Sequence, residues 1–464
     1  MAISSAEGRI IKMEVDYSDA VAKQIPKSAE MARAGQLNEA VDELLALEKL
    51  TRQGGDAISS GHVLVAIVKI CADVKNFDKM SEMMVLLSKR RSQFKQAVTS
   101  MVQEVCRTVE TVPDRAMQLK IIEAIRSVTE GKIYVEVERA RITYKLSQML
   151  EAEGKVKEAA EVLQELQIET YGSMDRREKI ELLLEQMRLC LNNKDYIRTQ
   201  IISRKISVRF FEDAAQQDLK LKYYKLMILL DEHDEKFLNV SRHYNAIYKT
   251  KQIFENLPDA LQALQCMISY LVLAPFDNEQ SDLLHRVKED KNLDHMLPYK
   301  KLVKSFLTNE IIQWSKFVAE LEKDLRQGSK ELPAVYVFKP EVDGGPARWE
   351  HLRQRVIEHN IRIMAMYYSR VSLTRLAQLL SLTPLESEEY IGKLVTKKTI
   401  FARIDRPDGV IVFRPQKNVN AVLDDWAGNV AKLMQMINQT THLINKEEMV
   451  HGMEHVVAAG ADKD

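Results

Sequence analysis

Gly35-Gln36-Leu37-Asn38-Glu39-Ala40-Val41 joins a chain break to a fresh start: a glycine able to leave the helical region, a polar spacer, then apolar residues recurring at helical spacing. The same device returns as Asn76-Phe77 with Met80, Gly154-Lys155-Val156 with Ala159, Asp195-Tyr196 with Thr199, and Glu235-Lys236-Phe237 with Val240. The leading residues 37, 77, 156, 196 and 237 stand about 40 apart, one interval being twice that. A missing copy therefore falls near Met117, behind the Val112-Pro113-Asp114 breaker. Each start opens a stretch of 3.6-residue period, such as Leu37, Ala40, Val41, Leu44 and Leu47, or Phe77, Met80, Met83, Met84 and Leu87. Two helices of about 15 residues with their turns fill one period, and stacked pairs bury a continuous core.

The predicted fold class is accordingly all-α dominated. A right-handed α-solenoid of helical hairpins, like a tetratricopeptide array but with a longer period, is expected over residues 1–230, and further helices over 231–347. Gly328, Pro333, Pro340, Gly344, Gly345 and Pro346 then crowd the segment Gln327 to Ala347, which reads as a loop or junction.

Residues 348–415 have the order of a winged helix. Leu352, Val356, Ile357, Ile361, Met364 and Tyr368 mark a helix, Val371-Ser372-Leu373 a short strand, and Thr374 a cap for a brief helix carrying Leu376, Leu379 and Leu380. Thr383-Pro384-Leu385-Glu386 combines a capping residue, a proline at the first helical position and a glutamate at the third. Ile400 to Ile404, the Pro407-Asp408-Gly409 turn and Val410 to Phe413 read as a β-hairpin. A sheet this small has open edges, so Val371, Leu373, Ile404, Val410 and Val412 are expected to form a surface for pairing with a neighbour's sheet.

The segment 416–464 carries a second period. Val419, Leu423, Trp426, Val430, Leu433, Ile437, Thr440 and Ile444 alternate steps of four and three, the seam of a coiled coil or bundle. Nothing after Ile444 continues the pattern, so a partner helix must come from elsewhere. Val419, Leu423, Trp426, Val430, Leu433, Ile437 and Ile444 are the expected partner-binding residues, with an intermolecular bundle favoured over packing within the chain.

Composition narrows the function classes. Across 464 residues, 67 basic and 67 acidic side chains give a formal net charge of +0, unlike a chain built to neutralise phosphates. Only 16 glycines and 11 prolines argue against a turn-dense β fold. The four cysteines, Cys71, Cys106, Cys190 and Cys266, lie far apart and read as buried reduced thiols, which suits cytoplasm or nucleus. Met1 to Ile11 lacks a signal-peptide pattern, and no run reaches the length of about 18 apolar residues that a membrane helix needs.

No catalytic, metal or cofactor constellation is expected. His451-Gly452-Met453-Glu454-His455 has a metallopeptidase spacing, but Gly452 weakens the helix and no third ligand follows. Phosphate loops and nucleophile elbows are missing. Lys393, Lys397, Lys398, Arg403 and Arg406 raise nucleic-acid binding by the winged helix, yet Glu386, Glu388, Glu389, Asp405 and Asp408 share the same elements and cancel the field. Lys89-Arg90-Arg91 reads as a solvated helix end before it reads as a targeting patch.

A solenoid of helical hairpins running into a winged helix resembles the PCI-domain proteins, scaffold subunits of the proteasome lid, the cullin-deneddylating signalosome and translation initiation factor three. Met13 to Ser18, Tyr248 to Glu255, Tyr270 to Leu284 with its core Ala274 to Ser281, Arg348-Trp349-Glu350 and Arg355 to Asn360 are most similar to a lid member. The resemblance implies a non-catalytic scaffold in ubiquitin-dependent degradation, without cofactor. It implies as partners other PCI-domain lid subunits, the lid deubiquitinase pair, the base ATPases and the core particle, in a hetero-oligomer without nucleic acid or membrane. A signalosome scaffold and a winged-helix nucleic-acid adaptor are the alternatives.

Overall fold

The computed structural model describes residues 3–4, 10–11, 16–328, 333–413 and 419–461. The chain divides into two compact units after Met267. A boundary at 230/231 would cut a helix, Gln217–His233, whose partner begins at Phe237.

The first unit opens with a two-stranded ribbon, β1 (Ile3–Ser4) and β2 (Ile10–Ile11), paired antiparallel. Six helical hairpins follow: α1 (Ser18–Arg33) with α2 (Leu37–Gln53), α3 (Ala57–Asp73) with α4 (Phe77–Lys89), and α5 (Lys95–Thr111) with α6 (Arg115–Thr129). The others are α7 (Glu136–Ala152) with α8 (Val156–Gln164), α9 (Arg176–Asn192) with α10 (Tyr196–Lys205), and α11 (Gln217–His233) with α12 (Phe237–Tyr248). A short α13 (Lys251–Glu255) leads into α14 (Leu257–Leu273), which runs through the division.

Five of the six hairpin turns are closed in one way. The second residue before the new helix has positive φ: Gly35 at 94°, Lys75 at 61°, Gly154 at 80°, Lys194 at 60° and Glu235 at 55°. Such a residue lets two amide groups turn back onto the spent helix, with Gly35 N bonding Ala32 O and Gln36 N bonding Met31 O. The same pair of bonds recurs at Lys75 and Asn76, Gly154 and Lys155, Lys194 and Asp195, and Glu235 and Lys236. The missing copy begins at Arg115, and Pro113 explains why its signature is absent. Val112 and Asp114 are extended there, and the Gln118 amide donates instead to the carbonyls of Val109 and Val112 at 3.3 and 2.6 Å.

Alternate helices pack along the array, α1 on α3, α3 on α5, α5 on α7, and α4 on α6. Their apolar stripes merge into one cluster of buried residues running from Val21 to Leu146. Ion pairs also follow the period. Arg126 reaches Glu165, Arg141 reaches Glu178, and Arg188 grips Glu151 with two bonds of 2.6 and 2.7 Å. Most are exposed and add little. Glu48 is the exception: its carboxylate is wholly buried and neutralised by Arg52 at 3.1 Å and by Arg90. Lys89-Arg90-Arg91 is therefore more than a solvated helix end, because Arg90 closes this pair and the Arg91 carbonyl accepts from Arg52.

In the second unit, α15 (Asn278–Lys288), α16 (Leu297–Leu307) and α17 (Trp314–Arg326) precede α18 (Gly345–Tyr367). The segment expected as a loop or junction carries no α-helix between Arg326 and Gly345 among the described residues, and part of it is packed. Val335, Val337 and Phe338 are buried, Phe338 meets the edge of Trp349, and the Arg326 guanidinium lies 4.5 Å above that indole. Gly345 is obligatory, because a Cβ there would fall 1.9 Å from the Lys339 carbonyl oxygen. Asn360, buried on α18, donates to Ile312 O at 2.9 Å and accepts from Ile312 N at 2.8 Å, pairing its amide with the loop before α17.

The winged helix is present in the expected order: α18, β3 (Arg370–Ser372), α19 (Leu373–Leu380), α20 (Pro384–Thr396), β4 (Arg403–Asp405) and β5 (Val410–Val412). Ser372 rather than Thr374 caps α19, so Leu373 belongs to the helix and not to the strand. The capping box at Thr383 and Glu386 forms in both directions. Ile357, Ile361, Met364, Leu376, Leu380, Ile391, Leu394 and Ile411 make the core. The last helix, α21 (Val419–Ala461), is 43 residues long and continues past Ile444 and through Gly452. No helix among the described residues is long and apolar enough to cross a membrane.

Candidate assembly surfaces

The seam of α21 is uncovered. Val419 is 71% exposed, Trp426 67% and Leu433 53%, with Leu423, Val430, Ile437 and Ile444 also on the exposed side. Every residue of α21 from Val419 to Gly452 is exposed, while comparable stripes in the first unit are buried. Apolar side chains repeating at three and four residues lose contact with water only if another helix is laid along them.

The sheet has the order β3-β5-β4, so β5 is central and both its neighbours are edges. Val410 and Val412 therefore lie on a strand already paired on both sides. Phe413 N bonds Ser369 O and Leu373 N bonds Gly409 O, which turns the backbone of Val371 toward β5 and, by strand alternation, that of Arg370 and Ser372 outward. The Val371 side chain is in the core. On β4 the same alternation turns the Ile404 backbone to the outer edge. Of the residues expected at this surface, Ile404 presents an outward backbone, and so do Arg370 and Ser372, which were not among them. Only the register, which three-residue strands do not reveal in sequence, shows the difference.

Two of the five winged-helix cations, Lys393 and Arg406, are paired with carboxylates of the winged helix itself. Lys393 pairs with Glu389 at 2.8 Å, Arg406 with Glu388, and Lys397 lies 4.0 Å from Glu358. The thiols of Cys71 and Cys106 are pushed up to about 11 and about 12 by burial, and that of Cys266 to about 12 for the same reason, so they stay protonated at neutral pH. Among the described residues no group of three or more His, Cys, Asp or Glu side chains could hold a metal ion. His451 contacts Glu447 at 3.7 Å, and the side chains of Met453, Glu454 and His455 lie outside the described residues.

Family models match along most of the chain: "PSMD12/CSN4, N-terminal" over residues 39–256, the PCI domain over 318–415, and "26S proteasome regulatory subunit RPN5 C-terminal domain" over 420–452. The last of these covers the α21 seam from Leu423 to Ile444. The 26S proteasome non-ATPase regulatory subunit 12 of Dictyostelium discoideum is 42% identical over 440 residues, 95% of this chain and 96% of that protein. The 26S proteasome regulatory subunit RPN5 of Saccharomyces cerevisiae is 39% identical over 449 residues, 96% and 98% of the two chains. COP9 signalosome complex subunit 4 of Caenorhabditis elegans is more distant, 21% identical over 341 residues, 69% and 76%. Hairpin array, winged helix and terminal seam together place the chain in the PCI-domain family of 26S proteasome regulatory subunits, in the branch named non-ATPase regulatory subunit 12 or RPN5.

Proposed function

We propose that the chain is a non-catalytic scaffold of the 26S proteasome regulatory-particle lid, acting in ubiquitin-dependent degradation in cytoplasm and nucleus. The observation that carries this reading is the bare seam of α21, a 43-residue helix with a large apolar stripe and no covering element among the described residues. A free-standing protein gains nothing from such a stripe, whereas a subunit joining a helical bundle buries it. Val419, Leu423, Trp426, Val430, Leu433, Ile437 and Ile444 are the contacts in this reading. The outer edge of β4, with Ile404, is a second joint, through which a neighbouring PCI sheet would satisfy the open backbone groups. The partners are other PCI-domain lid subunits, the lid deubiquitinase pair, the base ATPases and the core particle. Pairing of the winged-helix cations with local carboxylates supports assembly without nucleic acid.

The test is reconstitution of the regulatory particle from subunits with the intact chain or with a chain ending before Val419. Native electrophoresis and mass spectrometry should show a lid only with the intact chain. Normal particles formed without α21 would remove the basis of this reading.

A further inference from the structure

Two of the segments that carry the family resemblance, Ala274 to Ser281 and Arg355 to Asn360, converge on one cavity of about 430 Å³ inside the second unit. Its floor is a single face of α18. Arg355, Glu358, His359 and Arg362 fall at helical positions i, i+3, i+4 and i+7, and Met366 extends the row. Phe276, Leu284, Phe306 and Leu394 contribute apolar walls, and Lys397 and Ser281 add polar groups.

The charges in this cavity do not balance. Arg355 and Glu358 neutralise each other at 2.5 Å, and Lys397 lies farther from the same carboxylate at 4.0 Å. Arg362 has no carboxylate partner among the described residues. Its guanidinium stacks 3.5 Å above the Phe276 ring and donates to His359 Nδ1 at 3.1 Å. The buried imidazole is held from its other side, where Nε2 lies 3.3 Å from the Glu310 carbonyl oxygen and so carries the proton. Burial and the adjacent Arg362 push His359 down to about 4, so it remains a neutral acceptor for the Arg362 guanidinium at physiological pH. Arg362 itself has lost hydration through burial without gaining a counter-charge, a cost that an anion would offset.

We propose that this cavity binds a small organic anion, a carboxylate or phosphate head on Arg362 with an apolar body among Phe276, Phe306 and Met366. The flat guanidinium, fixed by ring stacking and by His359, suits the planar, two-point recognition of such heads. The volume falls in the lower range for small-ligand pockets, and the mixture of apolar walls with a few fixed polar groups is their usual lining. That is why a small molecule, rather than an acidic segment of another protein, is the assigned occupant.

The experiment uses the full chain with phenyl phosphate and 3-phenylpropionate as probes, benzyl alcohol as the neutral control and a short acidic peptide as the competing ligand, read by calorimetry and ligand-observed NMR. Both anions should bind saturably and at least about tenfold more tightly than benzyl alcohol. Arg362→Met, which keeps a side chain against Phe276, should reduce anion binding by at least about tenfold. Met366→Trp tests the cavity independently: residue 366 is 59% exposed, so the larger ring should obstruct the site without disturbing the core. Circular dichroism checks the fold of both, and should Arg362→Met fail to fold, Met366→Trp decides. The proposal is overturned by non-saturable binding of both anions, by equal affinity for benzyl alcohol, by binding that a folded Arg362→Met or Met366→Trp leaves unchanged, or by the peptide binding where neither small anion does.

Discussion

The helices of the hairpin array and α21 carry the same kind of apolar stripe, yet their fates differ. Leu44, Ile67, Met84 and Ile125 are fully buried against neighbouring helices of their own chain, whereas Trp426 and Leu433 face outward. Each array helix is followed within a few residues by a turn that folds a partner back onto it. Helix α21 has no returning helix among the described residues. Apolar periodicity therefore records that a face must be covered, while the chain's own turns decide whether it can cover that face itself.

The largest expected effect separates the two stripes directly. Trp426→Ala combined with Leu433→Ala should abolish incorporation into the lid, since truncating large apolar groups buried in a bundle costs roughly 2 to 5 kcal/mol each. The isolated chain should unfold at an almost unchanged temperature, because both side chains are already exposed. A large drop in that temperature, with assembly intact, would mean that α21 packs within its own subunit.

The reciprocal experiment truncates the covered stripe. Ile67→Ala, at a position with no exposure in α3, should destabilise the isolated chain by about 2 to 5 kcal/mol in denaturant titration. A shift as small as that of the α21 variant would dissolve the contrast.

A third test uses proton uptake. His359 has its folded value near 4 against an ordinary 6.5, so it contributes stability fully above pH 6.5 and loses it as pH falls toward 4. The loss amounts to about 3 kcal/mol. Urea titrations at pH 7 and pH 4.5 should show it in the wild type and in a chain lacking α21, and His359→Gln should flatten it. Dependence of this slope on α21 would show that the terminal helix is coupled to the second unit's core.

The smallest effects come from the turns. Lys194 and Glu235 adopt left-handed φ that a glycine accepts freely, so Lys194→Gly or Glu235→Gly should stabilise the chain by up to about 1 kcal/mol. Gly154→Ala should cost about 1 kcal/mol through local backbone strain alone, because no other group lies near its missing Cβ. Thermal unfolding resolves both signs, and a sign reversal would show that φ does not limit these turns.

The hairpin array, the winged helix, the capping box at Thr383 and the apolar seam of α21 were legible in the residue order, because each rests on local periodicity or on a turn that a few adjacent residues specify. Even the missing repeat was locatable, although Pro113 removed its signature and left Gln118, a distant-looking side chain, to close the turn. Tertiary structure alone decided what nonlocal contacts set. Val335, Val337 and Phe338 of the Pro- and Gly-rich segment became buried, with Phe338 against Trp349 across the fold, and Arg90 became a structural residue because Glu48, one repeat earlier, was sealed beneath it. The choice of Ile404 over Val410 and Val412 at the open edge followed from which strand took the centre of the sheet. The cavity on α18 was equally hidden. Its residues form a regular stripe that reads in sequence as an ordinary helix face, and only the folding of Phe276 over Arg362 gives that stripe a roof.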